Sequence, residues 1–192
     1  MNVKKVEVDF LSLYKPTYIA STVYDIDYNK LYALGKRIIL FDLDNTLISY
    51  YEDEPSTKLI EFGKLLLAIG FKVYIVSNNS GKRLSNFTKS FPLTSCASSM
   101  KKPSSKRLKK YLEDLNINNF NEIIMIGDQM LTDILCANRL GVDSILVKSI
   151  SRKSEKWYTT INRLREPIVL KGIAKQDPVL AKEIKKLIKK ED

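Results

Sequence analysis

The chain has 192 residues, of which 44% are hydrophobic, and this is enough for a domain with a packed core. Lysine and arginine outnumber aspartate and glutamate by 32 to 22, and the formal net charge of +10 favours anionic partners such as nucleic acid, acidic lipid or a phosphorylated substrate. The chain has no histidine, which excludes Ser-His-Asp and Cys-His catalysis and most zinc sites.

The two cysteines, Cys96 and Cys136, form neither a metal-ligand pair nor a disulfide framework. We predict that both are small buried hydrophobic residues in a reducing cytoplasm. The N-terminal MNVKKVEVDF mixes charges with apolar residues, unlike a secretory signal, and no stretch approaches the roughly 18 apolar residues of a membrane span. We therefore expect a cytoplasmic protein without a transmembrane segment.

Short apolar runs alternate with helical segments along the middle of the chain. In chain order, the predicted strands are RIILF, FKVYIVS, EIIMIGD and DSILV. The predicted helices are PSTKLIEFGKLLLAIG, SGKRLSNFTKSF, the basic SSKRLKKYLEDLN and MLTDILCANRLG, and SCASSMKKP is predicted to be irregular. This alternation predicts an α/β fold, a Rossmann-like parallel sheet with helices on both faces.

We divide the chain into three parts. Residues 1–36 are expected to pack on the edge of the core, residues 37–150 form the core, and residues 151–192 form a basic segment with an amphipathic helix. Four apolar residues share one face of this helix: Leu180, Ile184, Leu187 and Ile188. That face either packs on the domain or lies on an anionic membrane leaflet, where each nearby lysine is worth about 1 kcal/mol.

Polar residues end three of the predicted strands. Asp42 and Asp44 follow IILF, Ser77 and Asn78 follow VYIV, and Asp128 follows IIMIG. In a parallel sheet the carboxyl ends of the strands meet at one edge, where ligands bind. Because a buried unpaired carboxylate costs several kcal/mol, two aspartates separated by one leucine indicate a functional site.

Four motifs, in order, resemble the haloacid dehalogenase (HAD) superfamily: DLDNT (42–46), VSNNS (76–80), KKP (101–103) and GDQMLTD (127–133). The longer stretches VSNNSGKR and GDQMLTDILCANRLG, with ILVKSI and the N-terminal FLSLYKPTY, are similar to the YqeG family of subfamily IIIA phosphatases. Eukaryotic relatives of that family are mitochondrial phosphatidylglycerophosphate phosphatases. The gaps between the motifs hold single helices, so we expect a HAD-like core with no cap domain.

The resemblance implies catalysis through an aspartyl-phosphate. Asp42 would be the nucleophile, and Asp44 would protonate the leaving oxygen and then deprotonate the attacking water. Lys102 would neutralise charge as the phosphoryl group moves, with Lys101 as the alternative lysine. Three residues would contact the substrate: Thr46, Ser77 and Asn78. The hydroxyl of Thr46 would otherwise be structural and hold its loop.

The resemblance also implies Mg²⁺, which takes carboxylates together with phosphate oxygens and water. Its ligands would be Asp42, the backbone carbonyl of Asp44, and Asp128. Asp133 would orient the outer shell of the metal or Lys102. Asn45 stands where many members carry glycine, and asparagine tolerates the left-handed backbone that this turn requires.

A site without a cap suits substrates whose bulk lies outside the protein. The resemblance implies phosphatidylglycerophosphate as the leading substrate, in phosphatidylglycerol synthesis, with the protein peripheral at the inner face of the membrane. A second interpretation is a phosphatase of nucleic-acid ends or small phosphate esters, which would use the basic helix SSKRLKKYLEDLN. A third is a non-catalytic module that recognises phosphate, although two intact aspartates would hinder the binding of an anion.

Overall fold

This computed structural model describes residues 9–151 and 157–188 of the chain. They fold around one parallel sheet. Its strands are β1 (Tyr18–Ala20), β2 (Ile38–Phe41), β3 (Lys72–Val76), β4 (Ser95–Ala97), β5 (Ile123–Gly127) and β6 (Asp143–Val147). The strand order is β1-β6-β5-β2-β3-β4, and every neighbouring pair is parallel. The predicted α/β fold is confirmed.

Helices follow the strands along the described chain. They are α1 (Tyr28–Ala33), α2 (Thr57–Ile69), α3 (Lys82–Ser90), α4 (Lys106–Asp114), α5 (Leu135–Leu140), α6 (Trp157–Gln176) and α7 (Pro178–Ile188). A π-helical turn, Met130–Ile134, leads directly into α5. Helix α2 begins after Ser56, whose hydroxyl accepts a hydrogen bond from the amide of Leu59, and ends at Gly70, whose φ of 109° suits glycine.

The helices cover both faces of the sheet because side chains alternate along each strand. In β2, Ile39 and Phe41 pack in one core with residues of α1, α2 and α3. Ile38 and Leu40 pack in a second core with residues of α4 and α5. Only α2 lies between β2 and β3, and only α3 lies between β3 and β4. The expected absence of a cap domain is therefore confirmed.

The N-terminal flank contributes a strand to the sheet edge. In β1, Tyr18 pairs with Ile145 of β6, and just before it the amide of Ser144 donates to the hydroxyl of Thr17 at 3.1 Å. Helix α1 adds the buried Tyr28 and Leu31 to the core. The sequence did not predict β1, and the boundary after residue 36 stays a prediction.

The C-terminal helix α7 packs its apolar face on the domain. Ala181 and Ile184 are buried against residues of the π-turn, β6 and α6, and Leu180, Leu187 and Ile188 are partly buried there. The structure thus shows the first of the two alternatives for this face. Residues 152–156 and 189–192 of the predicted basic segment lie outside the described residues, and its boundary after residue 150 stays a prediction. Among the described helices, none combines the length and apolar character needed to cross a membrane.

Two predictions about the region after α3 are wrong. SCASSMKKP was expected to be irregular, but Ser95–Ala97 form β4, which is too short to produce a periodic pattern. Cys96 was expected to be buried, but it lies on this edge strand and is exposed. The other cysteine, Cys136, is buried as predicted.

Candidate active site

The predicted site residues come together at the carboxyl edge of the sheet. Asp42 follows β2, Ser77 follows β3, Asp128 follows β5, and Lys102 lies in the loop after β4. All four side chains are buried although they are polar or charged. Buried polar groups at one edge must find partners, so their contacts define the site.

Lys102 joins two carboxylates. Its ammonium Nζ donates to Oδ1 of Asp42 at 2.6 Å and to Oδ1 of Asp133 at 2.7 Å. Lys101, the alternative lysine, is exposed and has a φ of 56°. The lysine that reaches Asp42 is therefore the one directly before Pro103.

Asn78 holds the backbone of this lysine. Its amide Nδ2 donates to the carbonyl of Lys102 at 2.9 Å, and its Oδ1 accepts from the amide of Lys102 at 2.6 Å. Sequence reasoning assigned Asn78 to the substrate, whereas in the structure both of its polar side-chain atoms bind protein backbone. Ser77 lies next to it, fully buried, and its Oγ accepts from the amide of Asn79 at 3.0 Å. The hydroxyl of Ser77 can still donate its proton to a phosphoryl oxygen.

Two residues that sequence reasoning missed hold Asp44. Oδ2 of Asp44 accepts a hydrogen bond from Nδ2 of Asn79 at 2.5 Å, and Oδ1 lies 3.2 Å from Nη1 of Arg83. Arg83 also donates to the carbonyls of Ser49 and Tyr50, which fastens the loop after Asp44. Both missed residues lie in VSNNSGKR, the stretch that carried the family resemblance, and this was the signal that could have identified them.

Thr46 and Asn45 form the turn after the second aspartate. Asn45 has a φ of 63°, so the predicted left-handed backbone is confirmed. The side chain of Thr46 is buried, and within the described residues its hydroxyl has no hydrogen-bond partner. The loop is closed by backbone instead, since the amide of Asn45 donates to the carbonyl of Ile48 at 2.7 Å. A role for the Thr46 hydroxyl in holding the loop is therefore not supported.

Burial and crowding of charge dominate the electrostatics. Desolvation raises the pKa of Asp42 well above its usual range; Lys102 lowers it, and the carboxylates of Asp133, Asp44 and Asp128 raise it further. Burial alone would lower the pKa of Lys102, but the two carboxylates it contacts outweigh burial and raise it. Lys102 thus remains an ammonium, and added positive charge next to Asp42 would favour the ionised form of its carboxyl group.

A divalent cation would supply that charge. Three buried carboxylates have oxygens within 4.8 Å of one another: those of Asp42, Asp128 and Asp133. Asp44 adds a fourth carboxylate nearby; Lys102 contacts Asp42 and Asp133, and Arg83 contacts Asp44. A cluster of buried carboxylate oxygens fits Mg²⁺.

Asp133 already has partners on both oxygens. Its Oδ1 binds Lys102, and its Oδ2 accepts from the amide of Gln129 at 3.1 Å. Asp133 also lies against Gly127, where an added Cβ would overlap Cβ and Cγ of the aspartate. Because both of its oxygens are engaged, Asp133 fits a role as a support for Lys102.

The chain is similar to known proteins over most of its length. A family model described as "Mitochondrial PGP phosphatase" matches residues 1–150. The chain is 29% identical over 161 residues to "Probable phosphatase YqeG" of Bacillus subtilis (strain 168), covering 84% of this chain and 92% of that protein.

Two solved structures are similar at low identity. One is an uncharacterized protein from Listeria monocytogenes serotype 4b, with 20% identity, a TM-score of 0.48, and coverage of 57% of this chain and 77% of that chain. The other is the 3-deoxy-D-manno-octulosonate 8-phosphate phosphatase from Moraxella catarrhalis, with 15% identity, a TM-score of 0.46, and coverage of 74% and 91%.

Proposed function

Because the chain belongs to the mitochondrial PGP phosphatase family, and is thus a phosphatase of the HAD type, we propose that it cleaves phosphomonoesters through an aspartyl-phosphate on Asp42. The proposed substrate is phosphatidylglycerophosphate. The observation that carries this proposal is the buried pair of Asp42 and Lys102, joined at 2.6 Å at the carboxyl edge of the sheet. A buried carboxylate next to an ammonium group supports a nucleophile paired with a positive charge that would neutralise the phosphoryl group.

In the first step, an oxygen of Asp42 bonds to phosphorus while the bond from phosphorus to the ester oxygen breaks. Asp44 gives its proton to that leaving oxygen, so an alcohol is released rather than an alkoxide. In the second step, Asp44 takes a proton from water, which attacks phosphorus, releases inorganic phosphate and restores Asp42. Asn79 and Arg83 hold Asp44 in place for both proton transfers.

The charge of the transferred group is met by Lys102, which Asn78 and Asp133 fix in position. The hydroxyl of Ser77 would bind a phosphoryl oxygen. Mg²⁺, held by Asp42, Asp128 and the backbone carbonyl of Asp44, would add positive charge against the phosphoryl oxygens. Removal of the metal with EDTA is therefore expected to abolish turnover.

The family description supports the lipid substrate, and so does a site with no cap domain, since the bulk of a lipid would stay outside the protein. A membrane-binding role of the α7 apolar face receives no support, because that face packs on the domain. The net charge of +10 favours an anionic surface without choosing between lipid and nucleic acid.

The test is release of inorganic phosphate from phosphatidylglycerophosphate in mixed micelles with Mg²⁺. Wild type, Asp42→Asn and the exposed control Asp114→Asn would be compared, with glycerol phosphates, nucleotides and a phosphorylated oligonucleotide alongside. We expect turnover of the lipid, lost in Asp42→Asn and retained in Asp114→Asn. Turnover of the oligonucleotide but not the lipid would overturn the proposal that phosphatidylglycerophosphate is the substrate. No turnover of any ester, together with no beryllium fluoride adduct at Asp42, would indicate a binding module.

A further inference from the structure

A pocket of about 340 Å³ lies beside the catalytic residues, on the side of β6 and β1. Its walls come from three loops at the carboxyl edge: residues 21–24 after β1, residues 46 and 47 after the catalytic aspartates, and residues 148–150 after β6. Neither Asp42 nor Asp44 lines it. A ligand in this pocket would therefore occupy a position next to the phosphoryl site and not the phosphoryl site itself.

Backbone hydrogen bonds join the three loops. The amide of Lys148 donates to the carbonyl of Ser21 at 3.2 Å, and the amide of Ile150 donates to the carbonyl of Asn45 at 2.9 Å. These bonds link β1, β6 and the turn after Asp44 into one continuous wall. The pocket is thus built into the fold and shares the loop that carries the proposed general acid.

The chemistry of the wall is polar with a positive charge. Thr46 and Ser149 line the pocket, and their buried hydroxyls have no hydrogen-bond partner within the described residues, so their hydrogen-bonding capacity is unused. Unlike these two hydroxyls, that of Thr22 is engaged, because it donates to Asp25 at 2.7 Å. Lys148 also lines the pocket and brings a positive charge to this wall. Two unpartnered hydroxyls and a lysine in one wall match a hydroxylated, anionic ligand.

We propose that this pocket binds the part of the leaving group beyond the scissile ester, namely a polyol that carries a second phosphate, with Lys148 as the residue that selects for that phosphate. The inference rests on the proposed function for the identity of the scissile group. In phosphatidylglycerophosphate, the glycerol and the phosphodiester would occupy the pocket. Its volume lies at the low end for small-molecule sites, so it holds a head group and leaves the acyl chains outside.

The first experiment measures binding without turnover. Glycerophosphoglycerol, the head group without the scissile phosphate or the acyl chains, would be titrated into the wild type and followed by NMR amide shifts. We expect shifts at residues 21, 46 and 148, and an about tenfold weaker affinity in Lys148→Gln. The matched control is Lys72→Gln, which removes an exposed lysine from the amino end of β3, at the opposite edge of the sheet. Equal affinity in all three proteins, or no shifts in these loops, would overturn the proposal.

The second experiment measures selectivity. For each protein, kcat/KM is measured for glycerophosphoglycerol phosphate and for p-nitrophenyl phosphate, which has no second phosphate. Lys148→Gln should lower the ratio of the two values about tenfold, and Lys72→Gln should leave it at the wild-type value. Ser21→Phe, which narrows the pocket without changing Lys148, should lower the same ratio, with thermal melting as the check on folding. An unchanged ratio in both pocket variants would contradict the proposal.

The two proposals fail in different ways. If the wild type hydrolyses neither ester yet binds glycerophosphoglycerol through Lys148, the phosphatase assignment is refuted and the ligand-binding role of the pocket is supported. If the wild type hydrolyses both esters and Lys148→Gln changes neither binding nor selectivity, the role of the pocket is refuted and the phosphatase assignment is supported.

Discussion

Gly127 gives the site room for its supporting carboxylate. A Cβ at this position would overlap the side chain of Asp133, which in turn holds Lys102. We expect Gly127→Ala to lower kcat by about 10²-fold, because an ångström of displacement in a catalytic group can cost that much. Steady-state kinetics of phosphate release, with KM determined separately, would measure it.

The control for this substitution is Gly35→Ala. Gly35 has a φ of 89° but has no atom within 4 Å of the added Cβ. The Gly35→Ala variant should lose about 1 kcal/mol of unfolding free energy through backbone strain and keep the wild-type kcat. An equal loss of kcat in the two variants would mean that Gly127 acts only through general stability.

Arg83 is expected to act through the proton transfers of Asp44. Replacing it with glutamine should lower kcat/KM about tenfold for an alkyl phosphate, whose leaving oxygen needs a proton, and less for p-nitrophenyl phosphate. The control is Arg37→Gln, because Arg37 also donates to two backbone carbonyls but lies at the amino end of β2. Equal losses with both substrates would show that Arg83 does not act through Asp44.

Among the elements, α7 is the clearest case of a helix held by packing. Ile184 is fully buried and Val179 is 68% exposed on the same helix. Ile184→Ala should lower the free energy of unfolding by about 2–5 kcal/mol, whereas Val179→Ala should change it by less than about 0.5 kcal/mol. Urea denaturation of the two variants tests this, and equal stabilities would mean that the helix does not pack as described.

Apolar periodicity predicted the elements with long patterns. The strands β2, β3, β5 and β6 and the helices α2, α3 and α4 lie where the sequence placed them, because burial on one or two faces produces a readable repeat. The strands β1 and β4 have three residues each at the sheet edges. Their position depends on pairing with distant strands, which leaves no local pattern in the sequence.

The motifs predicted the location of the site better than its internal contacts. Asp42, Asp128 and Lys102 meet at the carboxyl edge because parallel strands end there. The bonds of Asn79 and Arg83 to Asp44 depend on the path of the loop after β3, which no periodicity encodes. The assigned roles of these residues in catalysis and metal binding stay predictions.

For the whole molecule, Cys136 makes stability depend on pH in the alkaline range. Burial raises the pKa of its thiol from 9.0 to about 11; Lys102 lowers it and Asp133 raises it. The unfolded chain therefore loses this proton first, and the stability that the neutral thiol contributes is intact below pH 9 and lost as the pH rises towards 11. Between pH 8 and pH 11 the free energy of unfolding should fall by about 2 kcal/mol more in the wild type than in Cys136→Ala.

Urea denaturation at each pH measures this difference, in which contributions common to both proteins cancel. Cys96→Ala, at an exposed thiol, is the matched control and should follow the wild type. Identical pH profiles for wild type and Cys136→Ala would contradict the expectation.

Strand β1 is synthesised early but joins the sheet through a very distant partner. Among the described strands it pairs only with β6, and Thr17, just before β1, is 127 positions from its hydrogen-bond partner Ser144 in β6. Contacts of such high contact order form slowly, so β1 should dock after the strands that carry Asp42 and Asp128 have paired. Pulse-labelled hydrogen exchange during refolding should protect the amides of β5 before those of β1. A nascent chain would then acquire the phosphoryl site first, and the wall that selects the leaving group would be the last part of the enzyme to form.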